Sequence, residues 1–287
     1  MSPKMKNFIV RAITGALFVA IMVAGLLDPT AMIGLFALIT GLALWEYTGL
    51  VNNIENVCIN RSISTVAGVY LFVAIAGINS GIIQSNAVFV PYLLTVVYLF
   101  ISELYTRNAN AVNDWAYTML GQMYIALPLA CINVLAFRQQ PDGTISFYFL
   151  LPLSVYIFLW VNDTGAYLSG SLLGRHKLFP RISPGKSWEG SIGGGLLVLA
   201  VAALLGWWEN SHECLSGLSV IEWMGLGLVV VFFGTWGDLV ESLFKRTLGI
   251  KDSGSILPGH GGMLDRFDSS LMAIPASVIY IYSLTLL

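Results

Sequence analysis

The sequence predicts an all-α, polytopic membrane protein of about nine transmembrane helices, with its N-terminus inside and its C-terminus outside. Three observations carry this. Hydrophobic residues make up 56% of the 287-residue chain, and charged residues only 10%. Ordinary soluble domains carry about a quarter charged residues. The mean hydropathy is +0.77. Together these exclude a soluble globular domain and a disordered chain, and they leave the lipid bilayer as the expected surroundings. The net charge of −2 provides no overall basic field for a phosphate backbone, so no nucleic-acid partner is expected. Cys58, Cys131 and Cys214 are too few and too scattered for a disulfide framework or a zinc site, and read as apolar or loop residues.

Uncharged runs mark the spans, because a bilayer core of roughly 30 Å needs about 20 apolar residues per helix. They fall at 12–27, 29–45, 62–102, 115–137, 143–162, 190–208, 223–237 and 269–287. The third run holds two helices, divided by the polar turn material Asn79-Ser80-Gly81 to Gln84-Ser85-Asn86. The first span is expected to reach back past Arg11, whose long side chain can snorkel. The eighth is expected to run on beyond Trp236 into charged sequence. No small-residue cleavage site follows the first apolar run, only Asp28-Pro29, so it reads as a span and not as a removed signal. Alternating nine spans from an inside N-terminus places 13 of the 14 Lys and Arg residues inside, Arg138 being the exception. The positive-inside rule selects this orientation, with the cytoplasmic (inner) membrane of a bacterium as the expected location.

Two regions follow: residues 1–140, about five spans, and residues 141–287, with cytoplasmic loops 162–190 and 238–268. The first region is chemically quiet, and Glu46, Glu103 and Asp114 read as solvated carboxylates near span ends. Most of the charge lies in the two loops. If the eighth span continues as helix, Asp238, Glu241, Ser242 and Lys245 fall at i, i+3, i+4 and i+7, one polar stripe that should face a polar cavity and not lipid. Downstream, Pro258-Gly259-His260-Gly261-Gly262 lets the backbone approach a ligand closely, and Asp265 and Asp268 could share a face as the last helix begins. Carboxylates, cations and a Gly-rich turn suit a phosphate–Mg²⁺ site; interfacial ion pairs closing a helix hairpin are the alternative.

The other loop opens with Asn162-Asp163, a polar contact for a nucleotide or a second metal-site carboxylate. Farther on, Ser183-Pro184 has the form of a helix N-cap followed by proline at the first helical position. Its N–H groups, beside Lys186 and Ser187, would cradle phosphate, or else form an ordinary helix start. The spacing of a P-loop is missing. Of the three histidines, His176 and His212 lie in loops that suit surface roles, and His260 is expected to touch substrate.

Ser242-Leu243-Phe244-Lys245-Arg246, Lys251-Asp252-Ser253-Gly254, Leu257-Pro258-Gly259-His260-Gly261-Gly262 and Asp265-Arg266-Phe267-Asp268 closely resemble the signature of the phosphatidate cytidylyltransferases, or CDP-diacylglycerol synthases, of bacterial type. Asn162-Asp163-Thr164-Gly165-Ala166-Tyr167 and Ser183-Pro184-Gly185-Lys186-Ser187-Trp188-Glu189-Gly190 also look like that family, in which Ala or Gly often stands at the position of Asn162. The resemblance is strong over about residues 150–287 and rests on length and hydropathy elsewhere. It implies the reaction of CTP with phosphatidic acid to give CDP-diacylglycerol and pyrophosphate, with Mg²⁺ required and a second cation such as K⁺ assisting in some members. The family's metal-binding aspartates match Asp238 and Asp265, with Asp268 and Asp163 as expected partners. Lys245, Arg246 and Arg266 are expected on substrate phosphates, and Ser183, Lys186 and Ser187 on the lipid phosphate or the triphosphate tail. Glu189, Ser242, Lys251, Asp252, Gly261 and Gly262 complete the expected substrate-binding set.

Three rival readings have discriminators. A CTP-dependent lipid kinase of polyprenol type would release CDP instead of pyrophosphate and would need a base for its hydroxyl acceptor. A CDP-alcohol phosphotransferase is disfavoured because no stretch matches its carboxylate signature. A transporter would carry ionisable residues at mid-membrane depth, and the spans have almost none. Gly-rich spans suggest a homodimer.

Overall fold

The computed structural model describes residues 3–106, 110–140, 142–212, 216–256 and 261–284, with side chains from residue 12 onward. The chain is mostly helical: α1 (Pro3–Leu26), α2 (Pro29–Val51), α3 (Arg61–Asn79), α4 (Val90–Ser102), α5 (Ala111–Gly121), α6 (Leu127–Ala130), α7 (Ile132–Ala136), α8 (Leu150–Leu173), α9 (Trp188–Ser211), α10 (Val220–Thr247), α11 (Leu264–Phe267) and α12 (Ser270–Leu284). A π turn, Gln122–Ala126, joins α5 to α6. Among the described residues six stretches are long and apolar enough to cross a bilayer: α2, α3, Ala111–Ala136, α9, α10 and Leu264–Leu284. The helical segments follow the nine expected spans in order. Exposed Val66, Leu172, Ile221 and Ile279 present apolar surface of the kind that fits a multi-pass membrane protein.

Three expectations are corrected. The chain is not purely helical: β1 (Phe137–Gln139) pairs antiparallel with β2 (Ile145–Phe147), and β3 (Lys177–Phe179) with β4 (Ser183–Ser187). The first hairpin uses residues assigned to spans five and six, so α8 starts at Leu150 and ends at Leu173, and Asn162-Asp163 lies within it. The second hairpin takes up Ser183 and Pro184. The helix therefore starts four residues later than expected, capped by Ser187, whose Oγ accepts the Gly190 N–H at 3.1 Å. The expected continuation of the eighth span holds: α10 runs unbroken to Thr247.

The chain divides into two compact units. The first comprises residues 1–149 and 248–267, the second 150–247 and 268–287. In the first, α2 packs on α3 and α5, and α3 packs on α4. Phe36 of α2 and Phe18 of α1 both meet the Phe267 ring edge-on, at 6.2 and 6.0 Å. The C-terminal turn of α2 is pinned from two sides. The Arg61 guanidinium donates to the Trp45 carbonyl at 2.7 and 3.0 Å and lies 3.8 Å over the Trp45 ring. The Tyr47 hydroxyl donates to the Tyr117 carbonyl at 2.9 Å.

In the second unit, α8, α9 and α10 pack in sequence and α12 closes on α10. Glycines set these distances, since small residues let helix backbones approach closely. A Cβ at Gly165 would lie 2.9 Å from the Gly194 Cα, and one at Gly194 would lie 2.7 Å from the Asn162 carbonyl. A Cβ at Gly237 would lie 2.8 Å from the Asp268 carbonyl. The chain thereby brings Asp163 of α8, Lys186 before α9, and Asp238 of α10 into one region of this unit.

Candidate active site

The polar stripe expected on α10 is present. Asp238 Oδ2 pairs with Lys186 Nζ at 2.7 Å, and its Oδ1 accepts from the Ser242 hydroxyl at 3.1 Å. One turn on, Glu241 Oε2 pairs with Lys245 Nζ at 2.5 Å, and Glu241 is fully buried. Asp268, just before α12, interacts electrostatically with Asp238, Lys245 and Asp163, and its Oδ1 accepts the Ser269 N–H at 2.5 Å. Four carboxylates and two ammonium groups thus share one neighbourhood in the second unit. A charge cluster of this kind at the end of an apolar helix is stable only with mutual pairing or water.

Beside it a cleft of about 190 Å³ is lined by Asn162, Asp163, Tyr167, Lys186, Ser187 and Thr235, among others. An apolar groove of about 330 Å³ between α9 and α10 shares Ser191 and Thr235 with that cleft and is otherwise walled by residues such as Ile192, Leu196, Leu228, Phe232 and Trp236. Polar cleft and apolar groove therefore meet at two residues.

In the first unit, the segment after α10 folds around Asp265. Its Oδ2 accepts the N–H groups of Ser253 at 2.9 Å and Gly262 at 2.8 Å. Gly261 has φ of +81°, and a Cβ there would stand 2.6 Å from that same Oδ2. Glycine is needed at 261 on both counts.

Several expected residues lie elsewhere. Glu189 accepts from the Arg175 and His176 N–H groups at 3.2 Å and contacts His176 Nδ1 at 2.5 Å, tying the β3 hairpin to the start of α9. Ser183 sits in the β3–β4 ladder opposite Phe179. Arg246, Lys251, Asp252 and Arg266 are exposed. His260 lies outside the described residues, as do Arg107 and Cys214. Two carboxylates expected to be solvated are buried instead. Asp114 accepts the Cys58 N–H at 2.7 Å, and Glu46 reaches Ser253 and Leu264. A carboxylate alone in an apolar run was the signal for Glu46, because burying such a group is costly unless it is used.

The donor set suits Mg²⁺. Asp163, Asp238 and Asp268 offer hard carboxylate oxygens, which this ion prefers, and it completes its shell with water and phosphate oxygens. Among the described residues no group of three or more His, Cys, Asp or Glu side chains forms a ready-made metal cage. An ion that takes one or two carboxylates plus substrate oxygens needs none.

The profile of the "Cytidylyltransferase family" matches residues 6–284. The chain belongs to this family. As a cytidylyltransferase it is also similar to curated relatives. One named "Phosphatidate cytidylyltransferase" from Staphylococcus aureus (strain COL) is 32% identical over 267 residues, covering 93% of this chain and 96% of that protein. Another of the same name from Haemophilus influenzae (strain ATCC 51907 / DSM 11121 / KW20 / Rd) is 32% identical over 255 residues, covering 84% and 87%.

Proposed function

We propose that this enzyme transfers the cytidylyl group of CTP to phosphatidate, giving CDP-diacylglycerol and pyrophosphate, an early step of phospholipid biosynthesis. The observation that carries this reading is the Lys186–Asp238–Ser242 and Glu241–Lys245 array beside a polar cleft that adjoins an apolar groove. A phosphate-bearing lipid has both characters. The names of the relatives support the same substrates.

The nucleophile is a phosphate monoester oxygen of the lipid, largely anionic near pH 7 because its second pKa is about 6. It forms a bond to the α-phosphorus of CTP, the bond from that phosphorus to the bridging oxygen breaks in line, and pyrophosphate leaves with the electron pair. No proton has to be abstracted, so the step needs no general base. The difficulty is repulsion between polyanions, which positioning and charge neutralisation overcome. Lys186 and Lys245 supply positive charge in the second unit. Asp238 and Glu241 hold those ammonium groups in place before substrate arrives. The Ser187 cap and Lys186 mark the phosphate-facing start of α9. Within the second unit Asp238 and Asp268, with Asp163 near them, are the carboxylates that would hold Mg²⁺; in the first unit Asp265 is by itself a candidate metal-binding carboxylate. Bound there, the ion would neutralise phosphate charge as it develops.

The same reading places the chain in the cytoplasmic membrane with its charged loops facing the cytoplasm, where the excess of Lys and Arg supports that side. The test is to supply the purified protein, in detergent and without any gradient, with labelled CTP, phosphatidate and Mg²⁺, then identify the products. CDP-diacylglycerol with pyrophosphate is expected, and chelation of divalent ions should abolish it. Phosphorylated lipid with CDP would instead make it a lipid kinase. No turnover without a gradient would reopen transport.

A further inference from the structure

Glu46 is the only charged residue between Asp28 and Glu55, and it is buried. It sits between Trp45, whose carbonyl accepts from Arg61, and Tyr47, whose hydroxyl donates to Tyr117. Its Oε2 accepts the Leu264 N–H at 2.9 Å and the Ser253 hydroxyl at 3.2 Å. Ser253 is the intermediary: its Oγ accepts the Asp265 N–H at 3.3 Å, and its own N–H donates to Asp265 Oδ2 at 2.9 Å. Gly254 and Gly262 leave the space that the Glu46 carboxylate occupies, since a methyl group at either would collide with it. Among the described residues Oε1 has no hydrogen-bond partner. If Glu46 only closed the fold, a neutral acceptor would do so without the desolvation cost of a charge. Two carboxylates joined through one serine create a negative potential that favours a cation.

We propose that Glu46 is a positioning residue: through Ser253 it orients Asp265 and biases that carboxylate toward a divalent cation. This rests on the reading of Asp265 as a metal-binding carboxylate. Groups that orient metal ligands typically contribute 10–100-fold in affinity or activity.

The test uses the full-length protein in detergent, with Mn²⁺ binding followed by electron paramagnetic resonance in the absence of substrate, alongside kinetics. In Glu46→Ala, Mn²⁺ affinity should fall about 10–100-fold and the Mg²⁺ concentration for half-maximal rate should rise, while KM for phosphatidate stays put. Glu46→Gln keeps an oxygen to accept from Ser253 and Leu264 but loses the charge, so it should fold like the parent and recover only part of the loss. If Glu46→Ala cannot be isolated folded, Ser253→Ala carries the test and should shift Mn²⁺ affinity in the same direction. Parental Mn²⁺ binding in the folded variant overturns the proposal, as does a uniform loss of rate with unchanged metal dependence. Asp265→Asn separates the two readings. If it binds Mn²⁺ as the parent does, the assignment of Asp265 fails and takes this inference with it. If Asp265→Asn loses Mn²⁺ and Glu46→Ala does not, the role of Glu46 alone is refuted.

Discussion

Asp238 commits one oxygen to Lys186 at 2.7 Å and the other to Ser242 at 3.1 Å, so it is held in a single orientation before any substrate arrives. Replacing it by asparagine keeps the shape and removes the charge. Asp238→Asn should leave expression and melting close to those of the parent and lower CDP-diacylglycerol formation by two orders of magnitude or more. That corresponds to roughly 3 kcal/mol or more of lost transition-state stabilisation. Turnover within a few-fold of the parent would remove Asp238 from the metal role. This residue was legible in sequence because its stripe partners recur at helical spacing, and local periodicity survives folding. Glu46 was not, since its partners lie more than 200 positions away and only the tertiary fold brings Ser253 to it. His260 remains a sequence-level expectation.

Among elements, the approach of α8 to α9 depends on what is missing from glycine. At Gly194 an added Cβ would meet Asn162 Oδ1 at 2.6 Å and its carbonyl at 2.7 Å, and the carbonyl belongs to a helix that cannot yield locally. Gly194→Ala should therefore destabilise the protein by about 1–3 kcal/mol, the usual cost of overpacking, seen as a lower melting temperature in detergent. The neighbouring Gly195→Ala is the control. Its Cβ would meet only Val231 Cγ1, at 3.6 Å, and alanine is the better helix former, so stability should hold or rise slightly. Equal effects at the two positions would refute the close-approach argument. The spans themselves were readable from uncharged runs. The start of α9 was not, because Ser183-Pro184 satisfies the local rules for a helix start while the short β3–β4 hairpin claims those residues first. A similar competition by the β1–β2 hairpin displaced the start of α8.

For the whole molecule, the order of helical segments was written in the distribution of charge, whereas the division into units was not. Residues 248–267 join the first unit although they follow α10 in the chain, and no feature of composition announces that return. The length of α10 has a further consequence. At 1.5 Å per residue its 28 residues extend about 42 Å, against a hydrocarbon thickness of roughly 30 Å. In the proposed membrane placement the surplus must tilt or protrude, and its far turns are those bearing Asp238, Glu241 and Lys245. Hydrophobic mismatch would therefore act directly on the groups proposed to hold substrate and metal. Reconstituted into vesicles of increasing acyl-chain length, the enzyme should show a rate maximum at intermediate thickness and a decline as thicker bilayers draw the charged turns toward hydrocarbon. A flat profile would mean that neighbouring helices absorb the mismatch. Otherwise the thickness of the bilayer itself sets the rate of the proposed reaction.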